Sequence, residues 1–368
     1  MARIDSFLKL GLQQGCSDIH LAVGIPPMLR VRGELLPIKF RDLRDTEMDE
    51  YVQEILTPQQ REQFAKGVDL DFAYVAADGG RFRVHIYRKD SGIGAAFRMI
   101  PDEIPSLENL GLPAIVQRLC DYQQGLILVT GSTGSGKSTT LAALINLLNK
   151  TRRYNIISLE DPIEFVHRSK NSQVIQREIG THVPSFAEGV RAALREDPDV
   201  IFVGELRDAE TIAMAMTAAE TGHLVLATLH TTSAVKTIDR IIDALPVDER
   251  DQTKNFLAQN LLAVITQVLV KSHDSQRRRA VCEIMVMTRA IARLIQTDQI
   301  HLIPSQLQTG RELGMQMLDQ ALLLAIQARE IDPDDAYQQA LDKRPFQRFV
   351  LDPSQLLRID LSATNSAL

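Results

Sequence analysis

The sequence predicts an α/β chain: a parallel-sheet core, with an α+β region before it and helices after it. Three observations carry this. From Gly125 onward, short wholly apolar runs (GLILVTG, NIISLED, DVIFVGE, HLVLATLH) are each followed by a turn and a helix-prone stretch. That is the pattern of strands buried on both faces of a parallel sheet. Over the first hundred residues strand and helix patterns are interspersed, and after about Thr288 the apolar residues recur at helical spacing.

Taken in order, MARIDSFLKLGLQQG is amphipathic, with Ile4, Phe7 and Leu8 at helical spacing, and it lacks the apolar run of a signal peptide. PPMLRVRGELLPI reads as strands punctuated by Pro and Gly. TEMDEYVQEILTPQQREQFAKG reads as a helix with Thr46 as its cap, and GRFRVHIYR and GIGAAFRMI as two further strands. A Pro-rich joint, PDEIPSLENLGLP, sets the boundary. LLAVITQVLV, Leu261 to Val270, is too short and too polar to cross a bilayer. AIARLI, LGMQMLDQALLLAIQA and DPDDAYQQAL are the C-terminal helices. The expected organisation is an α+β domain over 1–100, a linker over 101–113, the α/β core over 114–287 and a helical subdomain over 288–345. The tail, 346–368, is weakly patterned and expected to be partly disordered.

Composition narrows the partners. The net charge of −6, the few aromatics and the absence of Trp oppose nucleic acid as the main partner. The run Arg277 to Arg279 reads as a solvated loop. Cys16, Cys120 and Cys282 stand far apart without a CxxC pair, which excludes a tetracysteine zinc site and does not resemble a secreted disulfide frame. The expected location is cytoplasmic, with any membrane attachment made through a partner.

GSTGSGKST, spanning Gly131, Ser132, Thr133, Gly134, Ser135, Gly136, Lys137, Ser138 and Thr139, contains the G-x-x-x-x-G-K-[ST] pattern between an apolar strand and a helix-prone run. Its backbone N–H groups would curl around a β-phosphate. Lys137 would place a point charge on the β and γ oxygens, and Ser138 would ligate Mg2+. Such a loop needs acids for the metal and for the attacking water. Two stations supply them at strand ends: LEDPIEF, with Glu160, Asp161 and Glu164, and DVIFVGELRD, with Glu205 followed by Arg207 and Asp208. Acids in such places also cap helices, so either role is open to each. In TGHLVLATLHTT, His223 and His230 are seven apart, which on a strand puts their rings on opposite faces.

GSTGSGKSTT, ISLEDPIEFVH, LREDPDVIFVGELRDAET and AETGHLVLATLHTTSA together resemble the Walker A, Asp, atypical Walker B and His boxes of secretion ATPases of the type II/type IV pilus class. The wording is most similar to the pilus retraction ATPases of the PilT family, and the resemblance runs from about residue 3 to 340. It implies a homohexameric ring, each subunit a PAS-like N-terminal domain joined to a RecA-like P-loop ATPase core, with ATP and Mg2+ as cofactors. It further implies Mg2+ on Ser138 and Glu205, Glu164 as the group that positions the attacking water, and His230 in the catalytic set. His223 would report the γ-phosphate, and Arg83 and Arg98 would close over the nucleotide. Arg195 and Arg240 are candidates for action across a subunit boundary. The implied partners are copies of itself, an inner-membrane pilus platform protein at the base of the pilus machine, and a paralogous pilus ATPase.

Within that class, the chain lacks the tetracysteine module of extension and type II secretion ATPases, which favours retraction. It departs from the AIR-x-L motif of retraction ATPases at Ala290–Ile295: the arginine expected at 292 is Ala292, and Arg293 follows, turned by about 100° on a helix. An accessory, PilU-like role, an extension or type II secretion role, and a RecA-like DNA-handling role stay open on sequence alone.

Overall fold

A computed structural model describes residues 2–31, 34–100, 103–274 and 277–356 in two units, one made of Met1–Ile104 with Asp161–Val166, the other of Pro105–Glu160 with His167–Leu368. In the first unit, α1 (Asp5–Gln13) precedes β1 (Asp18–Ala22), β2 (Met28–Val31) and β3 (Glu34–Pro37). The stretch read as one long helix is two, α2 (Asp45–Ile55) and α3 (Pro58–Ala65). The break has a local cause: Pro58 lacks an N–H and drives Thr57 to extended backbone. Thr57 then caps α3, its hydroxyl accepting from the Gln60 N–H at 3.3 Å. The N-cap of α2 is Arg44 rather than Thr46. β4 (Leu70–Val75), β5 (Arg81–Lys89) and β6 (Gly92–Ile100) complete an antiparallel sheet of order β3-β2-β1-β6-β5-β4 among the described residues.

Alternation divides this sheet into an apolar face and a polar one. Ile19, Leu29, Phe82, Val84 and Phe97 are buried under α1 and α2 in one core with Leu8 and Met48. On the other face the register sets Arg30, Asp18, Arg98 and Arg83 side by side on four neighbouring strands.

The second unit begins with α4 (Ala114–Arg118) and enters its sheet at β7 (Gly125–Thr130), followed by α5 (Lys137–Thr151), β8 (Asn155–Glu160), β9 (Gln173–Glu178) and α6 (Phe186–Ala193). Then come β10 (Val200–Val203), α7 (Ala209–Glu220), β11 (Leu224–Leu229), α8 (Ala234–Ala244) and α9 (Arg250–Asn260). The strand order is β13-β12-β7-β11-β10-β8-β9 among the described residues, with β12 (Leu261–Lys271) and β13 (Arg278–Val286) as an antiparallel hairpin on a parallel sheet. β7, β10 and β11 are buried at every position, as strands covered on both faces by helices must be. The apolar run Leu261 to Val270 is therefore a sheet strand, and no helix among the described residues is long and apolar enough to cross a membrane.

α10 (Arg289–Gln296), α11 (Ile303–Thr309), α12 (Leu318–Gln327) and α13 (Pro333–Gln339) follow. α12 starts later than its apolar pattern suggests, because Gly314 takes left-handed backbone (φ 84°) and Gln316 pairs with Ile284 at the edge of β13. The tail begins as packed chain: Phe346 is fully buried in a cluster with Val270, Leu322 and Tyr337. Residues 357–368 of the tail, and 101–102 of the linker, lie outside the described residues. The three cysteines are free and buried, and burial pushes the Cys120 and Cys282 thiols up to about 12.

Between β8 and β9, His167 is buried with no hydrogen-bond partner for Nδ1 among the described residues. Burial lowers its pKa to about 4, so the folded chain refuses a proton that the unfolded chain takes up below about 6.5. Stability is unaffected by this group above pH 6.5 and falls as pH drops from there toward 4. Between pH 7 and pH 5 the wild type should lose about 2 kcal/mol more than His167→Gln in urea titrations. Equal losses would show that the imidazole is solvated.

Candidate active site

The strand–loop–helix that follows Val129 is built for an anion. Gly131 (φ 139°) and Gly136 (φ 89°) hold backbone that other residues avoid, and Gly136 is the N-cap of α5. A Cβ on Gly136 would stand 2.7 Å from Nε2 of Gln267, and one on Gly131 would collide with the Gln267 carbonyl oxygen. The loop thus lies against β12, and Gln267 holds it there. Its buried amide donates to the Ser135 carbonyl at 2.7 Å and accepts from the Thr140 hydroxyl at 2.8 Å. One residue earlier, the hydroxyls of Thr130 and Thr266 meet at 2.8 Å. Sequence reading missed these positioning groups; β12 was legible only as an apolar run.

Lys137 is buried, and its ammonium donates to the carbonyls of Gly131 and Ser132 at 2.9 and 3.0 Å, which keeps it over the loop. The Ser135 hydroxyl is buried without a hydrogen-bond partner among the described residues. An orphaned donor inside a glycine-rich loop, at the positive end of a 15-residue helix, fits a phosphate group.

Glu205 lies two residues past β10. Parallel register carries Val203 across Ala227 to Leu128, so Glu205 is level with Thr130, the last residue before the loop, and about 10 Å away across two strand spacings. Its carboxylate accepts from Arg207 Nε at 2.6 Å and lies 3.2 Å from Nε2 of His230. Asp208, by contrast, is a cap: it accepts from the Thr211 N–H at 2.8 Å. Glu160, buried at the end of β8, accepts from Ser158 and from Gln176 at 2.7 and 2.9 Å. No cluster of three or more metal-ligating side chains occurs among the described residues. A Ser138 hydroxyl with the single carboxylate of Glu205 is instead the donor set suited to Mg2+ held mainly by phosphate and water.

The two histidines differ by strand end as well as by face. His230 follows β11 on the loop's edge of the sheet. His223 precedes it, one residue before the Leu224–Gly125 pair at the far end of β7, about 20 Å from the loop along a six-residue strand. Its Nδ1 donates to the Ala218 carbonyl at 2.9 Å and so closes the C-terminus of α7. Within one chain, His223 thus caps α7 at the end of the sheet away from the phosphate loop. Arg195 and Arg240 are both exposed on this unit.

In the other unit, Arg98 Nε donates to Asp18 at 2.9 Å and Arg30 stands 3.9 Å from the same carboxylate. Burial alone would raise the Asp18 carboxyl, but the bonds from Arg98 and Ser17 bring it below the usual carboxylate range. Asp18 orients Arg98, another contribution that the strand pattern did not reveal. Arg83 faces Glu164 at 3.9 Å, both about two-fifths exposed, and Asp161 shares Glu164's segment.

Comparison with known proteins agrees with the geometry. The type II/IV secretion system protein family matches residues 106–332. The chain is 46% identical over 319 residues to the type IV pilus retraction ATPase PilT of Pseudomonas aeruginosa, covering 87% of this chain and 92% of that one. It is 39% identical over 332 residues to the type IV pilus ATPase PilU of the same organism, covering 90% and 87%. A crystal structure of the pilus retraction motor PilT with bound ADP superposes with a TM-score of 0.87 at 39% identity, covering 95% of this chain and all of that one. With its phosphate loop, its acid–histidine pair and these relatives, the chain belongs to the type II/IV secretion system protein family and is a nucleotide-binding ATPase of the PilT type.

Proposed function

We propose that this ATPase is the motor of type IV pilus retraction, working as a homohexameric ring on an inner-membrane platform protein from the cytoplasmic side. The observation that carries the reading is the Glu205–His230 pair beside the phosphate loop, in a chain 46% identical to a retraction ATPase across most of its length. Lys137 and the loop N–H groups bind the phosphates, and Ser138 and Glu205 would hold Mg2+, which when bound would supply positive charge to the phosphate oxygens. Arg207 and His230 fix the Glu205 carboxylate from two sides, which keeps it aimed without a reorganisation cost. For Glu164 the family resemblance supports a role in positioning the attacking water, and for Arg83 and Arg98 a role in binding phosphate.

In cells whose only copy carries Lys137→Ala, surface pili should accumulate while twitching stops, because assembly continues without its opponent. Bald cells would assign the motor to extension instead. A second reading, an accessory ATPase that works beside a paralogue, draws on the α10 sequence: Arg293 is exposed and Ala292 occupies the position before it. Normal pili and motility in the Lys137→Ala cells would favour that reading.

A further inference from the structure

One buried carboxylate lies outside the site described above. Glu283 is on β13, opposite Thr266 of β12, and is 6% exposed. Burial raises its pKa, and two backbone N–H groups, those of Ala234 and Leu318, oppose that rise by donating to it. The Ala234 bond is 2.7 Å long. These donors are the first residues of α8 and α12, where helices leave N–H groups without intrahelical partners. Neither helix meets the need itself. Ser233 caps α8 through the Lys236 N–H, which leaves Ala234 to Glu283, and Met317 gives α12 no side-chain cap.

α8 starts four residues after His230. The intervening loop is fastened to the helix, since the hydroxyls of Thr231 and Thr237 meet at 2.6 Å. Displacing the start of α8 therefore displaces the segment that presents His230 to Glu205. On the opposite strand, Thr266 bonds Thr130 at the root of the phosphate loop.

We propose that Glu283 is a positioning residue for hydrolysis: its carboxylate ties the His230 loop, through the start of α8, to the start of the C-terminal helix α12. The inference rests on the reading of His230 as part of the hydrolytic site. It makes the C-terminal helix a mechanical partner of the acid–histidine pair, so a load on α12 is felt at Glu205.

The test is a double-mutant cycle on steady-state ATP turnover by the purified full chain. Glu283→Gln keeps the shape but leaves only one acceptor oxygen, so one helix start loses part of its anchorage. Turnover should fall about tenfold with KM for ATP within about twofold, and the same substitution in a His230→Ala background should cost less than about twofold more. Equal losses in both backgrounds would overturn the proposal, since a general structural role acts independently of His230. A wild-type kcat for His230→Ala alone would remove the reading beneath it, which is a different result. If Glu283→Gln does not fold, Ala234→Pro removes the N–H donor, with two ring carbons added at a buried position. Proline suits a first helical position, and Ser233 before it is already extended (φ −162°, ψ 162°). It should reproduce the cycle, and additivity there would also overturn the proposal.

Discussion

Purified Glu205→Gln is expected to lose ATP turnover by about a thousandfold, the effect of removing a charge aimed at the reacting centre. The substitution is nearly isosteric, so Arg207 Nε can still donate to the amide oxygen, and the loop from Gly131 to Thr139 is untouched. Ground-state binding should therefore survive, with ADP affinity changed by less than about tenfold. The partition follows from where the residue sits. Glu205 leaves the sheet on the loop's edge and is clasped by Arg207 and His230, whereas the phosphates are held by backbone and Lys137. Steady-state turnover beside an ADP fluorescence titration separates the two. Retention of more than about a tenth of the wild-type rate would mean that another carboxylate carries the metal, with Glu160 the first to examine.

Gln267→Ala should weaken ADP binding by about a hundredfold and cost about 3 kcal/mol of stability. Two buried hydrogen bonds are lost together, to the Ser135 carbonyl and from the Thr140 hydroxyl, and both leave buried groups unpaired. The cavity also removes the wall against which Gly136 is packed. Gln267→Glu is the sharper comparison. It fills the same volume but cannot donate to Ser135, and it brings a negative charge to a loop that binds phosphate. Its ADP affinity should be lower than that of Gln267→Ala. Unchanged affinity in both variants, with stability alone reduced, would show that Gln267 packs against the loop without shaping it.

The phosphate loop, the strand-end acids and the α/β core could be read from the chain because each is encoded locally, in a glycine pattern or a run of buried strand residues. Gln267, Glu283 and Asp18 could not. Their partners are 132, 49 and 80 residues away, and nothing in LLAVITQVLV marks its glutamine as the brace of a loop. Nor did the sequence show that His223 and His230 flank opposite ends of β11, which is only six residues long. The long N-terminal helix failed at Pro58, whose effect on Thr57 outweighed continuous helical composition. At α12, a glycine in left-handed backbone and a bridge to β13 outweighed an apolar pattern that begins earlier.

The burial of all three cysteines has a practical side. Each thiol is enclosed, and two are held near 12, so almost none is present as the reactive thiolate at neutral pH. A cysteine installed on the surface of α12 would then be the one group that a maleimide dye reaches, with the native thiols left in place. The chain is, in effect, already a blank background for single-site fluorescence, in which the motion of its C-terminal helices can be watched during turnover.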